Sequence, residues 1–441
     1  MNAVQQLESA LLALQQNTPF ASVSGAISEV APTHFRVSGL SRFVRLGELI
    51  GVKSTGRPQI GEVIRIDSDG IVVKPFDRHF GGGLGSVAFR MPPLSFAPDP
   101  SWKGRVINAL GVALDGKGAL IPGPRAVTAE SDAPPAMKRA RVHRPLRTGV
   151  RVIDLFAPIC AGQRVGIFAG SGVGKSTLLA MLARSEGFDT VVLALVGERG
   201  REVREFVEDV LGHDRTRAVT IVSTGDESPM MRRLAPKTAM AIAEYFRDRG
   251  ESVLLVVDSI TRFAHASREV ALAAGEPAVA RGYAPTVFTD LPRLLERAGP
   301  GEEGSGTITG IFSVLVDGDD HNDPIADTMR STLDGHIVLS RQIADQARYP
   351  AVDVLGSVSR LAHCVWDPAE RELVSKLRAM IAKYEDTRDL RLMGGYQSGR
   401  DSELDQAVDL VPKIYGAMRQ DASAAPSAEP FRELRDMLKG D

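Results

Sequence analysis

Residues 164–184 read Arg164-Val-Gly-Ile-Phe-Ala-Gly-Ser-Gly-Val-Gly-Lys-Ser-Thr-Leu-Leu-Ala-Met-Leu-Ala-Arg184. The first five residues predict a buried strand, and the run from Lys175 onward predicts a helix. The glycine-rich loop between them consists of Ala169, Gly170, Ser171, Gly172, Val173 and Gly174. Strand, loop and helix in this order are the context that a phosphate-binding P-loop requires.

The loop has the chemistry needed to hold a chain of phosphates. Its glycines let the backbone curl so that successive N–H groups point at phosphate oxygens, and the following helix adds its positive N-terminal end. Lys175 can then reach the β- and γ-phosphates, and the hydroxyl of Ser176 can ligate Mg²⁺. Ala169 stands where the strict pattern has its first glycine, but Gly170 follows directly. We therefore predict a nucleotide-binding site at this loop.

A carboxylate suited to the metal follows a second apolar strand. Residues 252–258 read Ser-Val-Leu-Leu-Val-Val-Asp. The pattern predicts a strand whose last residue, Asp258, emerges at the carboxyl edge of the sheet, where open α/β folds bind ligands. This is the Walker B arrangement, and it makes Asp258 the second candidate metal residue beside Ser176.

A candidate base follows a third buried strand. The strand predicted over 190–196 leads into Gly197-Glu-Arg-Gly-Arg-Glu202. We expect this strand to lie next to the P-loop strand, so that Glu198 can polarise a water near the γ-phosphate. Spacing alone leaves a second role open, in which Glu198 caps a helix.

The composition of the chain excludes several classes of protein. Lys and Arg number 53 against 55 Asp and Glu in 441 residues, so the chain lacks the basic excess of a protein that holds a polyanion by bulk charge. No apolar run has membrane-span length, and no Lys or Arg precedes Arg36, which argues against a secretory signal. The two cysteines, Cys160 and Cys364, are too few for a disulfide framework; they favour a reducing compartment and are expected to be small buried hydrophobes.

The pattern along the chain changes several times. Short β-rich runs separated by Gly and Asp predict a small β-barrel up to about Phe96. Two Pro-rich irregular stretches, 92–100 and 122–145, predict linkers. Strands that alternate with helices from Arg164 to about Val365 predict an α/β domain with a parallel sheet, and the charged remainder predicts helices.

Two segments allow more than one interpretation. Residues 3–16 predict a helix with one apolar stripe, which either packs on its own domain or docks a partner. A basic run lies in the second linker, and it is either a solvated face or a nucleic-acid contact; no aromatic residues interleave it, which favours the first. The residues concerned are Val4, Leu7, Leu11 and Leu14 in the helix and Lys138, Arg139, Arg141, Arg144 and Arg147 in the basic run.

Several motifs together resemble the rotary ATPase α/β family. They are the P-loop, Gly197–Glu202, Val257-Asp-Ser-Ile-Thr-Arg-Phe263 and Tyr349-Pro-Ala-Val-Asp-Val-Leu-Gly-Ser-Val-Ser-Arg360. Further segments are similar to the type III secretion ATPases, most closely the flagellar group. These are 241–248, 273–277, 291–299, 317–327 and Gly395-Tyr-Gln-Ser-Gly399. The resemblance covers about residues 22–420 and is densest over 147–360.

The resemblance implies roles for individual residues. Lys175 and Ser176 would hold phosphate and Mg²⁺, with Thr177 on the α-phosphate side. Glu198 matches the general base, and Arg199 follows it in the same motif and would support the γ-phosphate. Asp258 matches the Walker B residue, which acts on the metal through water. Tyr349 matches the aromatic residue against which adenine stacks. Arg360 matches the arginine finger that reaches the nucleotide of a neighbouring subunit.

The resemblance also implies an assembly. Lys175, Glu198 and Arg360 lie on one chain, so a homo-hexamer would have a competent site at every interface. The implied partners are a stator-like regulator at the N-terminal helix, a central stalk-like protein in the ring, a membrane export gate, and export substrates with their chaperones, but no nucleic acid. The expected location is cytoplasmic and peripheral at the inner-membrane export apparatus. The expected domains are an N-terminal helix (1–20), a β-barrel (21–96), a RecA-like ATPase domain (97–366) and a C-terminal helical domain (367–441).

Four other functions compete with flagellar export. A virulence-type secretion ATPase shares the same motifs. The catalytic subunit of a rotary ATP synthase shares the motor domain, but Gly395–Gly399 and the residues after Asp401 resemble the export group. A hexameric RNA translocase would need a basic, aromatic barrel groove, which residues 22–96 lack. A scaffold subunit without hydrolytic activity is disfavoured because Lys175 and Glu198 are both present.

Overall fold

The structure is a computed structural model that describes residues 23–54, 57–210, 212–316 and 323–439. The chain divides into two units. The first contains the N-terminal residues up to Leu94 together with the short segments Ser228–Met230 and Glu269–Glu276, and the second contains the rest. The helix predicted over 3–16 lies outside the described residues.

The first unit contains a closed six-stranded barrel with strand order β1-β2-β5-β4-β3-β6. Its core is apolar, and Phe35 stacks on Phe80 with ring centroids 4.2 Å apart. The prediction of a small β-barrel is therefore confirmed. The strands are β1 (Ser24–Val30), β2 (Phe35–Ser38), β3 (Leu49–Val52), β4 (Gln59–Ile66), β5 (Ile71–Pro75) and β6 (Val87–Arg90).

The second unit is built on a nine-stranded sheet that is mostly parallel. Its strands and the short ribbons beside it follow in chain order: β7 (Ser95–Phe96), β8 (Val106–Asn108), β9 (Val127–Thr128), β10 (Pro145–Leu146), β11 (Ile159–Cys160), β12 (Arg164–Ala169), β13 (Thr190–Glu198), β14 (Ala218–Thr224), β15 (Ser252–Asp258), β16 (Gly299–Pro300), β17 (Thr307–Leu315), β18 (Gly335–Leu339) and β19 (Val352–Ser359). The sheet order is β19-β18-β12-β17-β15-β13-β14-β8, with β16 paired to β17. The predicted parallel sheet is confirmed.

Helices alternate with these strands and then continue alone to the end of the described chain. They are α1 (Arg151–Phe156), α2 (Lys175–Ala183), α3 (Gly200–Glu205), α4 (Pro229–Asp248), α5 (Ile260–Ala273), α6 (Pro285–Glu296), α7 (Pro324–Thr332), α8 (Arg341–Asp345), α9 (Ala362–Val365), α10 (Pro368–Asp386), α11 (Arg388–Leu392), α12 (Ser402–Met418) and α13 (Pro430–Lys439). Buried residues of α10 and α12, such as Leu377 and Val411, share one core with β12 and α2. The C-terminal helices thus pack on the nucleotide-binding sheet.

The strand order corrects one prediction. β12, the P-loop strand, pairs with β17 on one side and β18 on the other. β13, which carries Glu198, was expected beside β12, but β17 and β15 lie between them. The order of parallel strands in a sheet does not follow their order in the chain, because each crossover helix can skip positions.

The regions predicted as linkers also contain regular structure. β7 in the first Pro-rich stretch pairs with β9, and the side chain of Phe96 is buried. β8 joins the sheet by parallel pairing with β14, so the α/β domain recruits a strand from before Arg164, where its pattern was expected to begin. In the basic run, Arg139 lies 3.1 Å from Glu296, so this cation is paired.

The two cysteines are free thiols, with Cys160 buried as expected and Cys364 only half-buried. None of the described helices combines the length and the apolar composition that a membrane span needs.

Candidate nucleotide site

The P-loop has the backbone conformation that its glycines allow. β12 ends at Ala169, and α2 begins at Lys175. Between them, Gly172 and Gly174 have φ angles of 76° and 90°, in the left-handed region that L-residues with a side chain disfavour. Ala169 lies within the strand, so the departure from a strict glycine pattern places no side chain in a strained conformation. The loop is therefore shaped as the sequence predicts.

One apolar residue of the loop is buried, and two polar side chains in the first turn of α2 are exposed to solvent. Val173 is 1% exposed in the core beneath the loop. Ser176 and Thr177, in the first turn of α2, are exposed. Their hydroxyls lie at the positive N-terminal end of a helix, where an anionic ligand is stabilised.

Lys175 and Asp258 are brought together at the carboxyl edge of the sheet. The ammonium of Lys175 forms an ion pair with Oδ1 of Asp258, and the carboxylate is only 3% exposed. Ser313 of β17, the strand between β12 and β15, donates its hydroxyl to the same oxygen at 2.6 Å. The intervening strand thus supplies a hydrogen bond that fixes the Asp258 carboxylate opposite the P-loop lysine.

Glu198 lies near this pair although its strand is distant from β12. It ends β13, next to β15, and Arg262 of α5 approaches its Oε1 to 3.5 Å. Arg262 also donates to the backbone carbonyl of Gly197, which holds the end of the strand. Burial raises the pKa of Glu198 and the carboxylate of Asp258 raises it further, while Lys175 and Arg262 act in the opposite direction. A half-buried carboxylate with a raised pKa beside a P-loop is a functional candidate.

Two predicted catalytic arginines do not join this group within one chain. Arg199 is 85% exposed and pairs with Glu202 at 3.4 Å. Arg360, at the end of β19, is exposed, and its guanidinium donates to the carbonyl of Arg330 at 3.0 Å. The structure thus brings together Lys175, Asp258 and Glu198, and it leaves these two cations at the surface.

Tyr349 lies beside the loop. Its side chain is 43% exposed, and its ring carbons come within 3.4 Å of the position that a Cβ on Gly174 would occupy. One face of the P-loop therefore adjoins an aromatic ring with free surface. A π-face of this kind is suited to stacking a flat heterocycle.

Sequence reasoning missed three contributors to the site. Ser313 and Arg262 hold the two carboxylates, as described above. Arg341 donates to the carbonyl of Ser171 in the loop at 3.2 Å. Arg262 lies in the motif Val257–Phe263, so the sequence pattern could have indicated it. No sequence pattern indicates Ser313 or Arg341, because their roles depend on strand order and loop packing.

The donors available for a metal are the Ser176 hydroxyl and the Asp258 carboxylate. Both are oxygen ligands, which Mg²⁺ prefers over nitrogen and sulfur. Magnesium in such sites takes one or two protein oxygens and fills its remaining positions with water and phosphate oxygens. The residues fit that cation, and fold and site together define a P-loop nucleotide-binding domain.

Comparison with known proteins agrees with this class. The family described as "ATP synthase alpha/beta family, nucleotide-binding domain" matches residues 149–359, and the "T3SS EscN ATPase C-terminal domain" matches residues 366–438. A flagellum-specific ATP synthase of Rhizobium meliloti is 54% identical over 96% of this chain and 91% of its own length.

Solved structures give the same result. The assembled ATPase EscN from the type III secretion system of enteropathogenic E. coli superimposes with a TM-score of 0.87 at 36% identity, covering 94% of this chain and 99% of EscN. EscN in complex with its central stalk EscO superimposes with a TM-score of 0.84 at 36% identity, with the same coverage.

The chain therefore belongs to the ATP synthase alpha/beta family, within its group of flagellum-specific and type 3 secretion ATPases. The C-terminal match includes Gly395–Gly399 and the residues after Asp401, and it favours the export group over the rotary synthase.

Proposed function

We propose that this ATPase hydrolyses Mg²⁺-ATP and thereby energises flagellar type III protein export, releasing and unfolding substrates and chaperones at the export gate. The observation that carries the proposal is the convergence of Lys175, Asp258 and Glu198 at the carboxyl edge of the sheet. Support for flagellar rather than virulence-type export comes from the 54% identical relative, which is named flagellum-specific. The virulence system remains the second candidate, because EscN shares the fold.

In the proposed mechanism, the loop amides of residues 170–174 and Lys175 bind the phosphate chain, with Thr177 on the α-phosphate side. Ser176 would hold Mg²⁺ directly and Asp258 would hold it through water; the metal when bound would neutralise phosphate charge. Glu198 orients the attacking water and accepts its proton. Tyr349 stacks against adenine.

We further propose that the chain works as a homo-hexamer with the implied partners: a regulator at residues 1–20, a central stalk-like protein, the export gate, substrates and chaperones. The stalk proposal draws on EscN, which was solved with its central stalk EscO. The same proposal includes the location of the protein, which is peripheral at the cytoplasmic side of the membrane. It also includes the division of the chain into domains at 1–20, 21–96, 97–366 and 367–441.

ATPase assays with added export substrate and with added nucleic acid test which class of partner the protein acts on. Stimulation by nucleic acid alone would contradict the proposal.

Arg360→Ala is expected to lower the ATPase rate roughly 10³-fold or more, because an arginine finger stabilises charge that develops on the transferred phosphoryl group. Its exposure at the end of β19 is compatible with action on a neighbouring subunit. Mixing Arg360→Ala chains with Lys175→Ala chains should partly restore the rate, since mixed interfaces combine an intact loop with an intact finger. Mixtures as inactive as either variant alone would count against the role in trans.

The value of kcat/KM for ATP is expected to fall as pH is lowered through the raised pKa of Glu198. Glu198 can act as a base only when its side chain is a carboxylate. Because its pKa is raised, it becomes protonated at a less acidic pH than an exposed glutamate, whose pKa is about 4.3. Arg262→Gln should move this acid limb to higher pH, because it removes a positive charge that favours the carboxylate. A limb that moves to lower pH in this variant would contradict the assignment; a pH profile of phosphate release measures it.

A further inference from the structure

The backbone that carries Tyr349 is held by the C-terminal helices. Just past α12, the backbone N–H of Gln420 donates to the carbonyl of Tyr349 at 3.0 Å. The neighbouring Arg419 donates to the carbonyl of Gln346 at 3.3 Å. The segment 346–349, which we call the platform segment, therefore has two hydrogen bonds to the two residues that directly follow α12.

A third contact is a side-chain stack. The guanidinium of Arg348, the residue before Tyr349, lies 3.6 Å from the ring centroid of Tyr415 on α12. Both residues are half-buried, so the stack lies between the exposed and the fully desolvated cation–π contacts in strength. Arg348 thus links the platform segment to a specific aromatic side chain 67 residues later in the chain.

Tyr415 is itself fixed in place. Its hydroxyl donates to Oε1 of Glu385 on α10 at 2.5 Å, and its ring meets that of Tyr384 edge-on. Burial, together with the bond to Glu385, raises the pKa of Tyr415, so the phenol keeps its proton. The ring of Tyr415, on which Arg348 stacks, is therefore held in place by α12, which carries it, and by contacts with α10.

The platform segment also borders open space, on the side that faces α10 and α12. A cavity of about 240 Å³ is lined by Arg348, Pro350, Val352, Glu385 and Tyr415, among others. Without the stack, the segment has room to move, and Tyr349 would move with it. Because the Tyr349 ring adjoins Gly174 of the P-loop, such a shift changes the surface offered to the base of a nucleotide.

We propose that Arg348 is a positioning residue for nucleotide binding: stacked on Tyr415, it holds Tyr349 at the distance from the P-loop that a bound base requires. The inference rests on the proposed function of the site. Within the described part of the chain, Arg348 forms no hydrogen bond or ion pair with Lys175, Asp258 or Glu198. Its removal therefore changes affinity for the nucleotide and leaves the chemical step intact.

The test compares Arg348→Ala with a matched control. Arg391 lies 3.6 Å from the ring centroid of Tyr384, a stack of the same geometry that, in the described chain, makes no contact with the platform segment and reaches Tyr415 only through the edge of Tyr384. Arg348→Ala should raise the KM for ATP and the Kd for N-methylanthraniloyl-ADP about 5- to 10-fold, which lies between the cost of losing an exposed and a fully desolvated cation–π contact, with kcat little changed. Arg391→Ala should leave KM, Kd and kcat at their wild-type values. Thermal unfolding of both variants checks that they fold.

Two changes at the other partner complete the test. Tyr415→Phe keeps the ring and should retain a KM near wild type, whereas Tyr415→Leu should raise KM as Arg348→Ala does. The double variant Arg348→Ala with Tyr415→Leu should be no worse than either alone, because both remove one interaction. The inference is overturned if Arg348→Ala leaves KM and Kd unchanged, if it lowers kcat alone, or if Arg391→Ala has the same effect. A wild-type chain that neither binds the labelled ADP nor hydrolyses ATP would instead overturn the proposed function.

Discussion

Lys175→Ala is expected to reduce ATP hydrolysis by at least about 100-fold, the usual cost of removing one preorganised group that stabilises charge in the transition state. Lys175 is the cation at the mouth of the P-loop, paired with the nearly buried Asp258. In the proposed mechanism the ammonium exchanges this carboxylate for phosphate oxygens of the bound nucleotide, so both binding and turnover are expected to depend on it. Steady-state phosphate release measures the loss.

A matched control separates this effect from a general loss of charge. Lys376 is exposed and pairs with Glu372 one helical turn away, and Lys376→Ala should keep wild-type activity. Because Lys175→Ala also removes the cation beside Asp258, Lys175→Arg is a useful second variant. It keeps the charge but carries a larger, planar head group, and it should remain strongly impaired. Full activity in Lys175→Ala would exclude the P-loop as the hydrolytic site.

Glu198→Gln is expected to lower kcat by roughly 10²- to 10⁴-fold, the contribution of a positioned general base. Glutamine has nearly the same shape but cannot accept a proton from water. Glu198 lies at the end of β13, outside the proposed phosphate-binding loop, so binding of labelled ADP should be retained. Turnover and nucleotide binding, measured on the same preparation, distinguish this variant from Lys175→Ala.

The control for Glu198→Gln is a glutamate close in the chain with no part in the site. Glu205 is half-exposed and pairs with Arg201 on the surface of α3 at 2.6 Å. Glu205→Gln should hydrolyse ATP at the wild-type rate. Substantial hydrolysis by Glu198→Gln would remove Glu198 as the base and reopen its alternative role as a helix cap.

The parts of the site that could be predicted from sequence are those encoded by contiguous residues. The strand, the glycine-rich loop and the helix that follows it lie within 21 residues, so local propensity and motif agree. Asp258 could be placed because the rule for the carboxyl edge of a parallel sheet holds whatever the strand order. The barrel strand β1 has no alternating pattern of its own, because only one of its seven residues is buried, and its place in the barrel is defined by pairing with β2 and β6.

The parts that could not be predicted depend on contacts distant in the chain. Strand β8 has three residues and is defined by pairing with β14, more than 100 residues later. The expectation that β13 adjoins β12 failed because β17 and β15 insert between them, and the same insertion gives Ser313 its bond to Asp258. The stack of Arg348 on Tyr415 has no spacing signature at all.

The central claim is that ATP hydrolysis at this site powers protein export, and flagellar protein in the culture medium tests it most directly. A strain lacking the chromosomal gene is supplied with the wild-type gene or with Glu198→Gln, expressed to equal levels, and the secreted flagellar proteins are quantified. The wild-type gene should restore secretion, and Glu198→Gln should not. Wild-type secretion by a Glu198→Gln chain that lacks ATPase activity, or no restoration by the wild-type gene, would contradict the account.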